Sequence, residues 1–90
     1  MILLLHDLQV LFLEKCDSPD GYPFMGEDFV TQMKGSKNAL IVLKTLLRKK
    51  YITRANYFPD GNKVGGYHFG VFGTKITPDG KRWLQKQRKY

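Results

Sequence analysis

The sequence predicts a small α+β domain: three helices, a β-hairpin and a closing helix, all within one unit spanning residues 1–90. Three observations carry this prediction. Leucines recur at helical spacing between Ser36 and Lys50. After Tyr51 the pattern changes to alternation around a Pro59-Asp60-Gly61-Asn62 turn. Thr77-Pro78 then has the form of a helix start, a capping hydroxyl followed by proline in the first turn. A hydrophobic content of 42% sets the chain apart from disordered sequences, and ninety residues leave room for one core.

The first helix is expected over Ile2 to Cys16. Leu4, Leu5, Leu8, Leu11 and Phe12 share one arc, while Ile2, Val10 and Leu13 lie on the other side with His6 among them. A helix apolar on two sides is either deeply buried or shared with a second subunit. The second option makes Ile2, His6, Val10 and Leu13 the candidate surface of a homodimer. Asp17-Ser18-Pro19-Asp20-Gly21 breaks the chain, and Tyr22-Pro23-Phe24 continues it in extended form.

A short helix is predicted from Gly26 to Met33, with Glu27 and Asp28 in its first turn and Gly35 as a left-handed cap. Ser36 is the expected N-cap of the next helix, which runs to Lys50. There Ala39, Leu40, Leu43, Leu46 and Leu47 cover one side. Lys37, Lys44 and Arg48 converge within about 40° on the other, flanked by Asn38 and Thr45 and interrupted by Ile41. Tyr51 to Tyr57 is expected as a strand, and Tyr67, Phe69 and Val71 alternate onto one face of its partner. Packing against the helices is the expected use of the aromatics Tyr57, Phe58, Tyr67, Phe69 and Phe72; stacking on single-stranded bases is the alternative. Trp83 and Leu84 are expected to dock the last helix.

Charge is distributed unevenly along the chain. Up to Phe29 there is one base, Lys15, against six acids; from Val30 onward there are fourteen bases against two acids. Such asymmetry points to a polyanionic partner for the second part, because each cation placed on a phosphate releases condensed counterions. The helix of Lys37, Lys44 and Arg48 contains no acid, so intrahelical ion pairs do not account for its bases.

Other function classes receive little support. One cysteine, Cys16, cannot form an internal disulfide, and neither it nor His6 and His68 has companions at metal-ligand spacing. The acids Asp17, Asp20, Glu27 and Asp28 match neither a calcium loop nor a catalytic pair. No nucleophile–base arrangement is visible, so the expectation is a protein that is not an enzyme and uses no cofactor and no metal. The apolar start Ile2-Leu3-Leu4-Leu5 lacks a basic flank and a cleavage site and is too short for a membrane span, which predicts a cytoplasmic protein.

The order of elements and two local patterns carry a resemblance. Leu43-x-x-Leu46-x-x-x-x-Tyr51-Ile52-Thr53-Arg54, followed by a hairpin and by Lys75-Ile76-Thr77-Pro78-Asp79-Gly80-Lys81-Arg82-Trp83-Leu84, is similar to the winged helix-turn-helix DNA-binding proteins. In that family the recognition helix runs into L-x-x-x-G-x-I and the wing ends in L-T-x-x-G-x-x-x-L. The resemblance spans about Gly26 to Leu84, with Lys50 standing where the family has glycine. The motif is shared by small bacterial regulators and some phage proteins.

The resemblance implies that the helix at 36–50 enters the major groove of double-stranded DNA and that the hairpin at 51–76 is the wing. The implied DNA-binding residues are Ser36, Lys37, Asn38, Ile41, Lys44, Thr45 and Arg48 on the helix, with Arg54, Asn62 and Lys63 on the wing. The expected function is sequence-specific DNA binding by a dimeric transcription regulator. The alternative is a protein-interaction module whose basic face meets an acidic partner, with Ile2, Val10, Ile41 and Val64 as exposed apolar contacts.

Overall fold

Periodicity and turn chemistry resolve into six elements in the computed structural model, which describes residues 5–59, 61 and 66–87. They are α1 (Leu5–Cys16), α2 (Gly26–Gln32), α3 (Ser36–Arg48), β1 (Asn56–Pro59), β2 (Tyr67–Gly70) and α4 (Pro78–Gln87). The architecture is α+β, four helices with one two-stranded antiparallel hairpin.

The two apolar sides of α1 are both used inside the chain. This helix lies against α3 and against α4. Leu8, Phe12, Leu13 and Cys16 are buried, and Val10 and Leu11 are half-buried against the same core. Leu13 is fully buried within the chain, so the expectation that it faces a second subunit is overturned. An aromatic cluster joins the elements around this helix. Phe12 meets Tyr22 at 4.7 Å and Phe29 at 4.9 Å between ring centroids, and Phe29 meets Phe69 at 5.3 Å. Such tilted and edge-on pairs add to the stabilisation from area burial.

The turn between α2 and α3 differs from expectation by one residue. The left-handed position falls on Lys34, at φ 65°, and not on Gly35. The N–H of Lys34 donates to the Thr31 carbonyl at 3.2 Å and that of Gly35 to the Val30 carbonyl at 3.0 Å. These two bonds form a Schellman motif that satisfies the last carbonyls of α2. Gly35, at φ 127°, becomes the N-cap residue of α3 and has no side chain to cap it; Ser36, expected as the cap, is the first helical residue.

The far end of α3 closes in the same way. Lys50, at φ 61°, takes the left-handed position, with its N–H on the Leu47 carbonyl at 3.1 Å and the Tyr51 N–H on the Leu46 carbonyl at 3.0 Å. Lys50 thus adopts a conformation that glycine ordinarily favours. The helix ends at Arg48, two residues short of the expected boundary.

The expected strand from Tyr51 is interrupted. Ile52 makes an isolated bridge to Ile76, and Thr53 pairs with Lys75, before regular pairing resumes at Asn56↔Gly70. Between these points a turn closed by the Thr74 N–H on the Val71 carbonyl, at 3.1 Å, stands opposite Arg54 and Ala55. The buried Thr74 hydroxyl donates to the Arg54 carbonyl at 2.8 Å and so satisfies a group the ladder leaves unpaired. Tyr22 bonds the same turn, its N–H to the Thr74 carbonyl and its carbonyl from the Gly73 N–H, which ties the segment after α1 to the hairpin base. Phe69 and Val71 are buried and Tyr67 is half-buried, as alternation predicts. Phe58 and Phe72, expected to pack, are instead 54% and 67% exposed.

The helix start at Thr77 matches expectation. The Thr77 hydroxyl accepts the Gly80 N–H at 3.1 Å, Pro78 opens α4, and Leu84 is buried with Trp83 half-buried beside it.

Candidate functional site

The two faces of α3 are opposed. Ala39, Val42, Leu43 and Leu46 are buried in the core. Lys37, Lys44 and Arg48 are exposed on the other side, and their helical positions fall within about 40° of one another. Ile41, Thr45 and Asn38 border this stripe and are half-buried. None of Lys37, Lys44, Arg48 and Arg54 forms an ion pair among the described residues. Two acids are engaged by bases of α4, Asp17 by Lys81 and Asp79 by Arg82.

The hairpin continues the stripe. The Lys44 ammonium sits 5.7 Å from the centre of the Tyr57 ring. Tyr57, which alternation assigns to packing, is 36% exposed and joins the basic helix face to β1. Its role depends on how α3 and the hairpin approach each other, which local periodicity does not encode. On the opposite face of β1, Phe58 and its cross-strand neighbour His68 bring their rings to 5.3 Å. Arg54 is exposed in the connection between α3 and β1.

Other expected contacts separate from this surface. Ser36 is half-buried and lines a cleft of about 560 Å³ between the start of α2 and β2, together with Met25, Glu27, Val30 and Tyr67. Asn62, Lys63 and Val64 lie outside the described residues, as does Ile2 of the expected dimer surface. His6 is exposed, its ring edge-on to Trp83 at 5.5 Å, and Val10 is half-buried against the core. With Leu13 enclosed, the proposed dimer residues do not form one exposed face.

Titratable groups in the core are chemically quiet. Burial pushes the Cys16 thiol up to about 12, so it stays protonated and is a poor nucleophile. Burial also raises the Tyr22 phenol, whose hydroxyl donates to Gln32 at 3.1 Å. Among the described residues no helix is long and apolar enough to cross a membrane.

Comparison with models of known protein families, with curated proteins and with solved structures finds no match to this chain.

Proposed function

We propose that the chain is a winged helix-turn-helix protein that binds double-stranded DNA, with α3 as recognition helix and the β1–β2 hairpin as wing. The observation that carries this reading is the stripe of Lys37, Lys44 and Arg48, opposite the buried face of α3, free of acidic partners among the described residues and continuous with Tyr57 of the hairpin. A helix with side chains is about 10–12 Å across and fits a major groove about 12 Å wide.

In that groove Lys37, Lys44 and Arg48 bond phosphate oxygens or guanine edges, Asn38 pairs with adenine, and Thr45 and Ile41 meet base edges and a thymine methyl. Arg54 reaches the backbone beside the groove, and Asn62 and Lys63 are proposed as further backbone or minor-groove contacts. Sequence-specific binding of this kind suits a transcription regulator.

A gel-shift against pooled random duplexes at two salt concentrations tests the reading. Binding is expected at low salt and weakens steeply as salt rises. Lys44→Glu with Arg48→Glu is expected to abolish the shift while leaving the circular dichroism spectrum unchanged. Normal binding by that double variant would show that α3 is not the reading element. A second reading, a module that docks an acidic protein, is favoured by the exposure of Met25 and Phe72, at 62% and 67%. Absence of any shift at low salt selects it over DNA binding.

A further inference from the structure

We infer that Lys34 and Lys50 are phosphate contacts at the two ends of α3, one on each DNA strand bordering the groove. This rests on the reading of α3 as the groove-binding helix and adds two residues that charge periodicity within that helix does not reach.

The geometry that points to them is a repeated exception. Lys34 and Lys50 are the non-glycine residues at positive φ among the described residues, at 65° and 61°. Both occupy the left-handed position of a Schellman motif, and the two motifs flank the same helix. Glycine is the residue this position favours, because a Cβ in the left-handed region crowds the backbone. A lysine there is disfavoured locally, twice, and residues held in such conformations cluster where the side chain has a use. Both are exposed, and neither forms an ion pair among the described residues.

Position explains the use. α3 has thirteen residues, a length of about 20 Å, against a groove about 12 Å wide. A helix seated in the groove at an angle to its walls, being longer than the groove is wide, therefore carries one end toward each phosphate row. Lys34 lies two residues before Ser36, and Lys50 two after Arg48, so the pair stands beyond both ends. Their backbones are already pinned: the Lys34 N–H is bonded to Thr31, the Lys50 N–H to Leu47, and the Lys50 carbonyl accepts from Thr77. Pinning lowers the ordering cost of placing each ammonium on a phosphate. A favourable interaction of lysine with a helix C-terminal dipole is the competing explanation, and it involves no DNA.

Salt-dependent binding to a labelled random-sequence duplex separates the two. Lys34→Gly and Lys50→Gly are each expected to lower the slope of log affinity against log salt by about 0.9, and the double variant by about twice that. Lys34→Asn and Lys50→Asn, which also tolerate the left-handed region, are expected to give the same slopes and so exclude an effect of added backbone freedom. Lys86→Gln, which removes the same charge from α4, is the control and is expected to leave the slope unchanged. Unchanged slopes in the glycine and asparagine variants overturn the inference, as does an equal fall in the control. If the unaltered protein binds no duplex at low salt, the DNA reading itself fails and the inference falls with it. If that protein binds and Lys44→Glu with Arg48→Glu does not, while the Lys34 and Lys50 variants keep the full slope, only the inference fails.

Discussion

The Thr77 hydroxyl donates a 2.7 Å hydrogen bond to the carbonyl of Lys50 while accepting the N–H of Gly80 at 3.1 Å. One side chain thus caps α4 and holds the turn that ends α3. The Thr77 N–H adds a 3.0 Å bond to the Tyr51 carbonyl. Thr77→Val keeps the shape and the backbone bond but loses both hydroxyl bonds. Water can replace the hydroxyl at the exposed Lys50 carbonyl, so the lost cap dominates, and the expected destabilisation is about 1–2 kcal/mol. Thr77→Ser restores most of it. Urea denaturation of the three proteins checks the order, and equal midpoints for Val and Thr would refute it.

Gly80 makes the opposite case to helix propensity. It lies in the first turn of α4, where alanine is intrinsically better than glycine by about 1 kcal/mol. A Cβ at this position, however, would overlap the Tyr51 carbonyl oxygen and approach the Ile76 side chain to 2.8 Å. α4 would have to move away from the end of α3 to admit it. Gly80→Ala is therefore expected to lower stability by about 1–3 kcal/mol, as overpacking does. A raised melting temperature would show that propensity wins and that α4 yields easily at this contact.

These contacts explain why the Ile76-Thr77-x-x-Gly80 pattern was legible as a motif before its purpose was visible. Thr77 as a cap follows from local chemistry, and so does the basic stripe of α3, because a period of 3.6 residues places Lys37, Lys44 and Arg48 together without knowledge of any neighbour. What local reading misses is set between elements. The two-sided apolar pattern of α1 admits burial or a partner subunit, and only the packing of the helix against α3 and α4 decides for burial at Leu13. Gly35 beside Lys34 draws the left-handed assignment to the glycine, whereas the hydrogen bonds close one residue earlier. The strand after Tyr51 is broken by a turn whose missing ladder bond is replaced by the Thr74 hydroxyl, a side-chain contact that alternation cannot register. Tyr57 beneath Lys44 belongs to the same class.

Leu13 supplies a direct test of the burial of α1 within one chain. Leu13→Ala empties fully buried volume and is expected to cost about 2–5 kcal/mol. Because that loss lies within one chain, the shift in melting temperature stays constant as protein concentration changes. A residue shared with a second subunit would give a shift that depends on concentration by mass action. A concentration-dependent shift for this variant would return Leu13 to an interface.

Register decides the outcome for two phenylalanines of the hairpin. Phe58 pairs with His68 on the outer face and Phe69 with Tyr57 on the inner, where Phe69 is 7% exposed and touches Phe29. Phe69→Ala is expected to cost about 3–5 kcal/mol and Phe58→Thr no more than about 0.5 kcal/mol. Comparable losses in urea denaturation would mean that the outer face is covered.

Alkaline pH probes the core. Burial raises the Cys16 thiol from its ordinary 9.0 to about 12 and lifts the Tyr22 phenol above its ordinary 10.0. Both are acids whose folded form keeps a proton that the unfolded chain releases, so their contribution is intact below about pH 9 and declines as pH rises toward 12. The decline approaches about 1.4 kcal/mol per pH unit for each group ionised in the unfolded chain. The thiol acts first, because its ordinary value is the lower. Cys16→Ala costs about 1 kcal/mol at neutral pH through lost packing, yet its stability should fall less steeply from about pH 9 to about pH 10 than that of the unaltered protein. Urea midpoints across that interval test it: converging curves place the thiol in the titration, and parallel curves mean that Cys16 does not change its proton affinity on unfolding.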